Sequence, residues 1–194
     1  MYSLILDSGN INLVVGLAKD GKVIDQIVYQ AWQKQSELMI PEIEKILKNN
    51  NVSPKEIGEI HVTKGPGSYT GIRIALTIAK IYAMTLGIPC YAYSSLKVLQ
   101  KEGQPSICLM NARSQRSYFG VYKDNETIVL DKVLSNSEVM KYIEEHPDYA
   151  VCGDLNYLGL EVVEQGVIEN MLRLKNEEDK VKDILALKAI YLKD

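Results

Sequence analysis

Apolar and polar positions in the first hundred residues follow two different periods. Tyr2 to Asp7 (YSLILD) is a short, nearly continuous apolar run, which suits a strand buried on both faces. Ser8, Gly9 and Asn10 interrupt it with a turn. Asn12 to Ala18 (NLVVGLA) and Lys22 to Tyr29 (KVIDQIVY) read as two more strands. Asp20-Gly21 between them is a hairpin signal, so an antiparallel three-strand meander is expected. The period then lengthens. Met39, Ile43, Ile46 and Leu47 keep helical spacing from about Ser36 to Asn49, and Leu38 and Ile40 widen the stripe. Ser36 is the expected cap, and the asparagine run at 49 to 51 is the expected stop. Glu59 to Thr63 reads as a strand, and Tyr69 to Leu86 as a second helix ended by Gly87 and Pro89. Tyr91 to Tyr93 reads as a short strand, with Ser94 or Ser95 capping a brief helix to about Gln100.

The polar segment Lys101 to Pro105 then suggests a boundary, after which the pattern restarts. Ile107 to Asn111, Tyr118 to Tyr122 and Thr127 to Leu134 read as three strands, Ser137 to Glu145 as a helix and Tyr149 to Cys152 as a strand. Residues 153–180 show no firm pattern, and Asp179 to Leu192 reads as a last amphipathic helix. Each half thus gives a β-β-β-α-β series. This implies an α/β chain of two small domains, 1–100 and 101–194, the second reduced and its last helix packing back on the first. That recurrence fits the duplicated, ribonuclease H-like architecture of the actin, Hsp70 and sugar-kinase (ASKHA) group.

Composition narrows the chemistry. With 194 residues, 46% hydrophobic and 24% charged, the chain can build a core without staples. A net charge of −3 argues against a protein that grips nucleic acid by itself, since phosphate contacts need a dense basic face. Cys90, Cys108 and Cys152 sit in apolar stretches with no CxxC, as expected for reduced thiols in a cytoplasmic protein. The N-terminus has no basic region before its short apolar run, and no stretch approaches membrane-spanning length. A metal site needs several converging ligands. His61 and His146 are the only histidines, so no metal site and no Ser/His/Asp triad is expected.

The segment with most chemical content is Gly65 to Arg73, GPGSYTGIR. Its glycines permit positive φ or close backbone approach, and Ser68 or Thr70 can cap the helix that follows. The amides at that helix start form a potential anion site. No Gly-Lys-Ser/Thr follows, and the glycines read GxGxxxG, so this is neither a P-loop nor a dinucleotide fingerprint. The residues leave two readings open, a phosphate cradle and a sharp strand-to-helix turn. Without a lysine or a second phosphate loop, the turn is the better reading.

GPGSYTGIRI, then Ala79-Lys80 and Leu86 to Pro89 (LGIP), resembles the signature of the TsaB (YeaZ) family, GPGSFTGLRIG…AKGLA…LGIP. Ile5-Leu6-Asp7, Gln35-Ser36-Glu37 with Pro41, Ser94-Ser95-Leu96, Arg113 with Arg116-Ser117-Tyr118, and Tyr191-Leu192-Lys193 match further family positions. The matches are dense over residues 1–123. The resemblance implies a pseudoenzyme-like accessory subunit, not an enzyme. Its partner would be TsaD, which transfers threonylcarbamoyl to adenosine 37 of tRNAs reading ANN codons, with the ATPase TsaE joining the assembly. It also implies a homodimer when TsaD is absent and tRNA contact only through the complex. The HxxxH metal helix expected of TsaD has no counterpart here. The rival within the same fold is an ATP-dependent kinase or hydrolase.

The departures fall at would-be phosphate-binding places: Asp7-Ser8-Gly9-Asn10 for Asp-Thr-Ser, Gln35 for His, and Asn111 for Asp. In active relatives of this architecture an aspartate like Asp7 helps hold a metal–nucleotide complex. Here a turn-stabilising role is the stronger reading, and Asp7, Gly67 and Ser68 are only weak cofactor candidates. No cofactor of its own is expected, and any ATP or ADP is expected at the interface with TsaD. Ala75, Ala79 and Ala83 recur at four-residue spacing, which lets another element approach the second helix closely. Whether they face the core or a partner stays open at this level. The resemblance places the partner interface on the two helices of the first half, at Leu38, Met39, Ile72, Ala75, Ala79, Lys80, Tyr82 and Ala83.

Overall fold

A computed structural model describes residues 1–31, 34–162 and 166–192. Two mixed sheets organise them. The first contains β1 (Tyr2–Asp7), β2 (Asn12–Lys19), β3 (Lys22–Gln30), β4 (Ile57–Thr63) and β5 (Cys90–Tyr93), in the order β3-β2-β1-β4-β5. The meander pairs antiparallel, while β1–β4 and β4–β5 pair parallel. The second sheet contains β6 (Ser106–Arg113), β7 (Arg116–Lys123), β8 (Glu126–Ser135) and β9 (Ala150–Gly153), in the order β8-β7-β6-β9, with β6–β9 parallel. This is the repeated α/β theme that the sequence implies.

Side-chain alternation assigns each strand face to a different layer. On β1, Leu4 and Leu6 join the core beneath the helices α1 (Gln35–Asn49) and α2 (Tyr69–Leu86). Ile5 points the other way, into a core closed by α4 (Val167–Arg173) through Ile168, Met171 and Leu174. A fully buried side chain of this size contributes about 1.5–3 kcal/mol. Such double-sided burial explains why the central strand reads as an unbroken apolar run. On β6, Ile107 and Leu109 pack under α3 (Asn136–Glu145) with Phe119 and Val139. Cys108 and Met110 face Leu96 in the layer between the two sheets.

Three expectations need correction. α1 begins after Lys34, which makes no side-chain capping bond, so Ser36 lies inside the helix. The brief helix after β5 is a single 3-10 turn, Lys97–Leu99, whose N-cap is Leu96, and Ser94 Oγ before it accepts from the amides of Leu96 and Lys97. The tail is not a helix. Asp179 to Val181 lies along β5 instead: Ala92 N donates to Asp179 O, Val181 N donates to Cys90 O, and Tyr91 bridges Lys180 antiparallel. The apolar positions Val181, Ile184 and Leu187 are still packed on the first core. Their spacing records burial. An open sheet edge satisfies the backbone there, and no helix forms. The helix that covers the back of the first sheet is α4, inside the stretch with no firm pattern.

Among the described residues no helix is long and apolar enough to cross a membrane.

Candidate functional site

The ends of β1, β4, β6 and β9 meet the starts of α1 and α2 around a cleft of about 680 Å³ between the two sheets. Asn10, Gln35, Ser68, Asn111, Arg113 and Asp154 are among its polar lining residues. Of the weak cofactor candidates, Gly67 and Ser68 line this cleft. Asp7 sits behind Gly9, nearly buried.

The glycine-rich turn is tied to the β1–β2 turn. Ser68 N donates to Gly9 O at 2.7 Å, and Ser8 Oγ donates to Gly71 O at 2.8 Å. A Cβ on Gly67 would lie 2.1 Å from Gly9 O, and its φ is +146°. A Cβ on Gly71 would lie 1.9 Å from Ser8 O. The glycines are required because two backbones cross here in contact. Ser68 caps α2, accepting from Gly71 N at 3.3 Å. Asp7 Oδ1 accepts from Gly9 N at 2.9 Å and from the Thr63 hydroxyl. Burial pushes the Asp7 carboxyl up, and the Thr63 and Gly9 bonds oppose that. These contacts commit the Ser68 amide and one Asp7 oxygen to holding the two turns together.

Opposite this turn, Asp154 follows directly on β9. Burial raises its carboxyl, against a bond from the Asn111 backbone. Sequence reasoning missed Asp154 because no local motif marks it. The available signal was its place at the carboxyl end of a parallel strand, where sites of open α/β sheets gather. Ser94 Oγ, from the SSL match, donates to Asp131 Oδ2 of β8 at 2.6 Å, and Tyr122 donates to the other oxygen. That bond ties the segment after β5 to the second sheet.

His61 is wholly buried. Its ring nitrogens lie 2.9 Å from Tyr93 OH and 3.1 Å from Glu59 Oε1, and the ring stacks on Tyr91 and Tyr93. It belongs to the sheet. Among the described residues no group of three His, Cys, Asp or Glu side chains could hold a metal ion.

The second candidate surface is the outer face of α1 and α2, and here the residue assignment changes. Met39, Ile72, Ala75 and Ala79 are fully buried within this chain, and Ala83 nearly so. They belong to the core of the first sheet. The alanine repeat lets α2 lie close on its own strands, so these residues cannot meet a partner. Leu38 and Tyr82 are half-buried against the same core. Lys80 is half-buried, with Nζ donating to Leu185 O. The exposed apolar side chains are others: Ile40 at 55%, Ile81 at 56% and Met84 at 54%. Beside them a hollow of about 380 Å³ opens between the helices, lined by Ile40, Ile43, Leu47, Ile78, Ile81 and Tyr82 among others. Ile81 was legible only as one of the apolar neighbours of the alanines, and Met84 carried no signal.

A family model described as TsaD, tRNA N6-adenosine threonylcarbamoyltransferase, matches residues 26–162. The tRNA threonylcarbamoyladenosine biosynthesis protein TsaB of Bacillus subtilis is 33% identical over 144 residues, 72% of this chain and 62% of that protein. An uncharacterized protein of Mycoplasma pneumoniae is 28% identical over 197 residues, covering 100% of this chain and 95% of the other. The chain thus matches less than two thirds of the Bacillus protein's length and nearly all of the Mycoplasma one. The solved structure of YeaZ from Pseudomonas aeruginosa superposes with a TM-score of 0.76 at 20% identity, over 98% of this chain and 99% of that one, and shares its fold. With the family model covering well over half of its residues and TsaB proteins among its relatives, the chain belongs to the TsaD-type family of tRNA threonylcarbamoyladenosine proteins, on its TsaB (YeaZ) branch.

Proposed function

We propose that this chain is a non-catalytic partner of TsaD in forming N6-threonylcarbamoyladenosine at position 37 of tRNAs reading ANN codons. The observation that carries the reading is the unpartnered apolar face of α1 and α2. Ile40, Ile81 and Met84 are each about half exposed, and the first two line an apolar hollow. Clustered apolar exposure of this kind marks a protein–protein site. The name of the Bacillus relative supports the pathway. TsaD docks on this face, TsaE joins the pair, and the chain self-associates through the same face when TsaD is absent. Its net charge of −3 fits a subunit that meets tRNA only within the complex. The protein works in the cytoplasm, where tRNA is modified. Any ATP or ADP binds at the interface with TsaD.

The second reading, an ATP-dependent kinase or hydrolase, has the 680 Å³ cleft in its favour. Against it, the Ser68 amide and an Asp7 oxygen are engaged within the chain. The test is co-expression with TsaD from the same cell, reading complex formation and modified nucleoside by mass spectrometry. A stable complex and restored modification are expected. Failure to bind TsaD, or ATP turnover by the isolated chain, overturns the reading.

A further inference from the structure

The β6–β7 hairpin is strained where it meets the mouth of the cleft. Its two-residue loop, Ser114-Gln115, has φ of 50° and 57°, and Arg113 before it has 63°. A tight hairpin needs positive φ at both central positions, which Asn-Gly takes readily and Ser-Gln does not. Three successive left-handed residues with none of them glycine are uncommon. Such outliers persist where the surroundings hold them, and they cluster at ligand clamps. Here Arg113 N donates to Asn111 Oδ1 at 2.8 Å, and Asn136 N donates to Gln115 O at 2.9 Å. The braced tip sets Arg113 directly opposite Arg116 in the ladder. Like charges so placed repel, and an anion between them relieves the repulsion.

Further cations and two exposed rings gather at the same mouth. Tyr69 lines the cleft together with Arg113. Tyr69 is 59% exposed and stacks on Tyr191, 41% exposed, with ring centroids 5.0 Å apart. The Arg73 guanidinium lies 4.9 Å over the Tyr69 ring. Lys34 precedes the cleft-lining Gln35 at the start of α1. The amino ends of α1 and α2 add partial positive charge. Asp154 is the acid in the lining, and burial disfavours its charged form; Glu37 follows in the first turn of α1. A chain of net charge −3 therefore brings three of its four arginines to one end, beside a stacked pair of tyrosines.

Guanidinium groups interleaved with exposed rings suit an unpaired nucleic-acid strand, which offers phosphates to the first and base faces to the second. Resting on the reading above that this chain acts with TsaD on tRNA, we propose that the cleft mouth is an RNA-contact surface of that complex. Backbone phosphates of an unpaired RNA segment lie on Arg113 and Arg116, and a base stacks on Tyr191, continuing the Tyr69–Tyr191 pair. The contact adds to the affinity of the complex and is weak in the isolated chain, whose overall charge opposes RNA.

The test is fluorescence anisotropy of a labelled tRNA anticodon stem–loop, titrated with the complex of this chain and TsaD over a range of salt concentrations. The double variant R113E/R116E should weaken RNA binding at least about tenfold and lower the slope of log affinity against log salt by about 1 to 2, as loss of phosphate contacts does. Tyr191→Ala should weaken binding at least about fivefold with the salt slope unchanged, as loss of stacking does, and Tyr191→Phe should keep wild-type binding. Lys141→Glu, on the exposed side of α3, should change neither quantity. Gel filtration of each variant with TsaD separates the two levels of the argument. If wild type forms no complex, the docking reading falls. If the complexes form and R113E/R116E binds RNA with wild-type affinity and salt slope, the RNA surface alone falls. Loss of TsaD rather than of RNA in R113E/R116E would make the mouth a protein contact and overturn the inference as well. Tyr191→Ala with unchanged affinity overturns the stacked base.

Discussion

Lys175 follows Glu59 by 116 residues, yet its ammonium donates to Glu59 Oε2 at 2.5 Å. Glu59 projects from β4 on the side facing His61, and its other oxygen accepts from Ser3 Oγ at 2.7 Å. The contact pins the segment after α4 to the back of the first sheet, with the Lys97–Asp179 pair at 3.0 Å as a second tie. Lys175→Met should destabilise the fold by about 1–2 kcal/mol, because Ser3 and His61 still serve the buried carboxylate and Lys175 is partly solvated. Urea unfolding of both proteins measures it.

The same carboxylate predicts an acid response. Burial works to raise Glu59, but the bonds from His61, Lys175 and Ser3 outweigh it and hold the group at about 2. Its unfolded value is about 4.3. A depressed folded value means that the contribution is complete above the unfolded value and is lost as pH falls from about 4 toward 2. Wild type should therefore lose more stability than Glu59→Gln across that interval, measured by denaturant midpoints at each pH. Parallel slopes would contradict this.

Gly67→Ala should cost about 2–4 kcal/mol, since the new Cβ meets the Gly9 carbonyl and the left-handed φ is strained. A melting temperature within a degree or so of wild type would show that the two turns can separate.

Ala79→Arg places a guanidinium in a wholly buried site, so loss of folding is expected rather than a folded monomer. Ile81→Arg, two residues on and exposed, should keep the fold and lose pairing. Circular dichroism with gel filtration distinguishes the two outcomes.

Much of this architecture was legible because local chemistry and burial agreed. Asp20 and Gly21 both take positive φ, as a two-residue hairpin demands. Ser68 and Gly87 end α2 at the expected places, with Gly87 left-handed at φ 67°. What was not legible depends on the third dimension. The spacing of Ala75, Ala79 and Ala83 announces a close approach but not whose, and the sheet turned out to be the neighbour. The tail carries helical periodicity, yet the edge of β5 satisfies its backbone instead. Asp154 reaches the cleft only because β9 pairs parallel to β6, a long-range event no motif records. The glycine-rich turn kept its identity in both views, and its crossing with Ser8 and Gly9 explains why those glycines are needed.

The most direct test of the central claim is a titration of this chain into purified TsaD from the same cell, by isothermal calorimetry, with Ile81→Arg as the comparison. The account predicts saturable one-to-one binding by wild type, no binding by a folded Ile81→Arg, and no ATP hydrolysis by the chain alone. Equal binding by both proteins, or none by wild type, would contradict it.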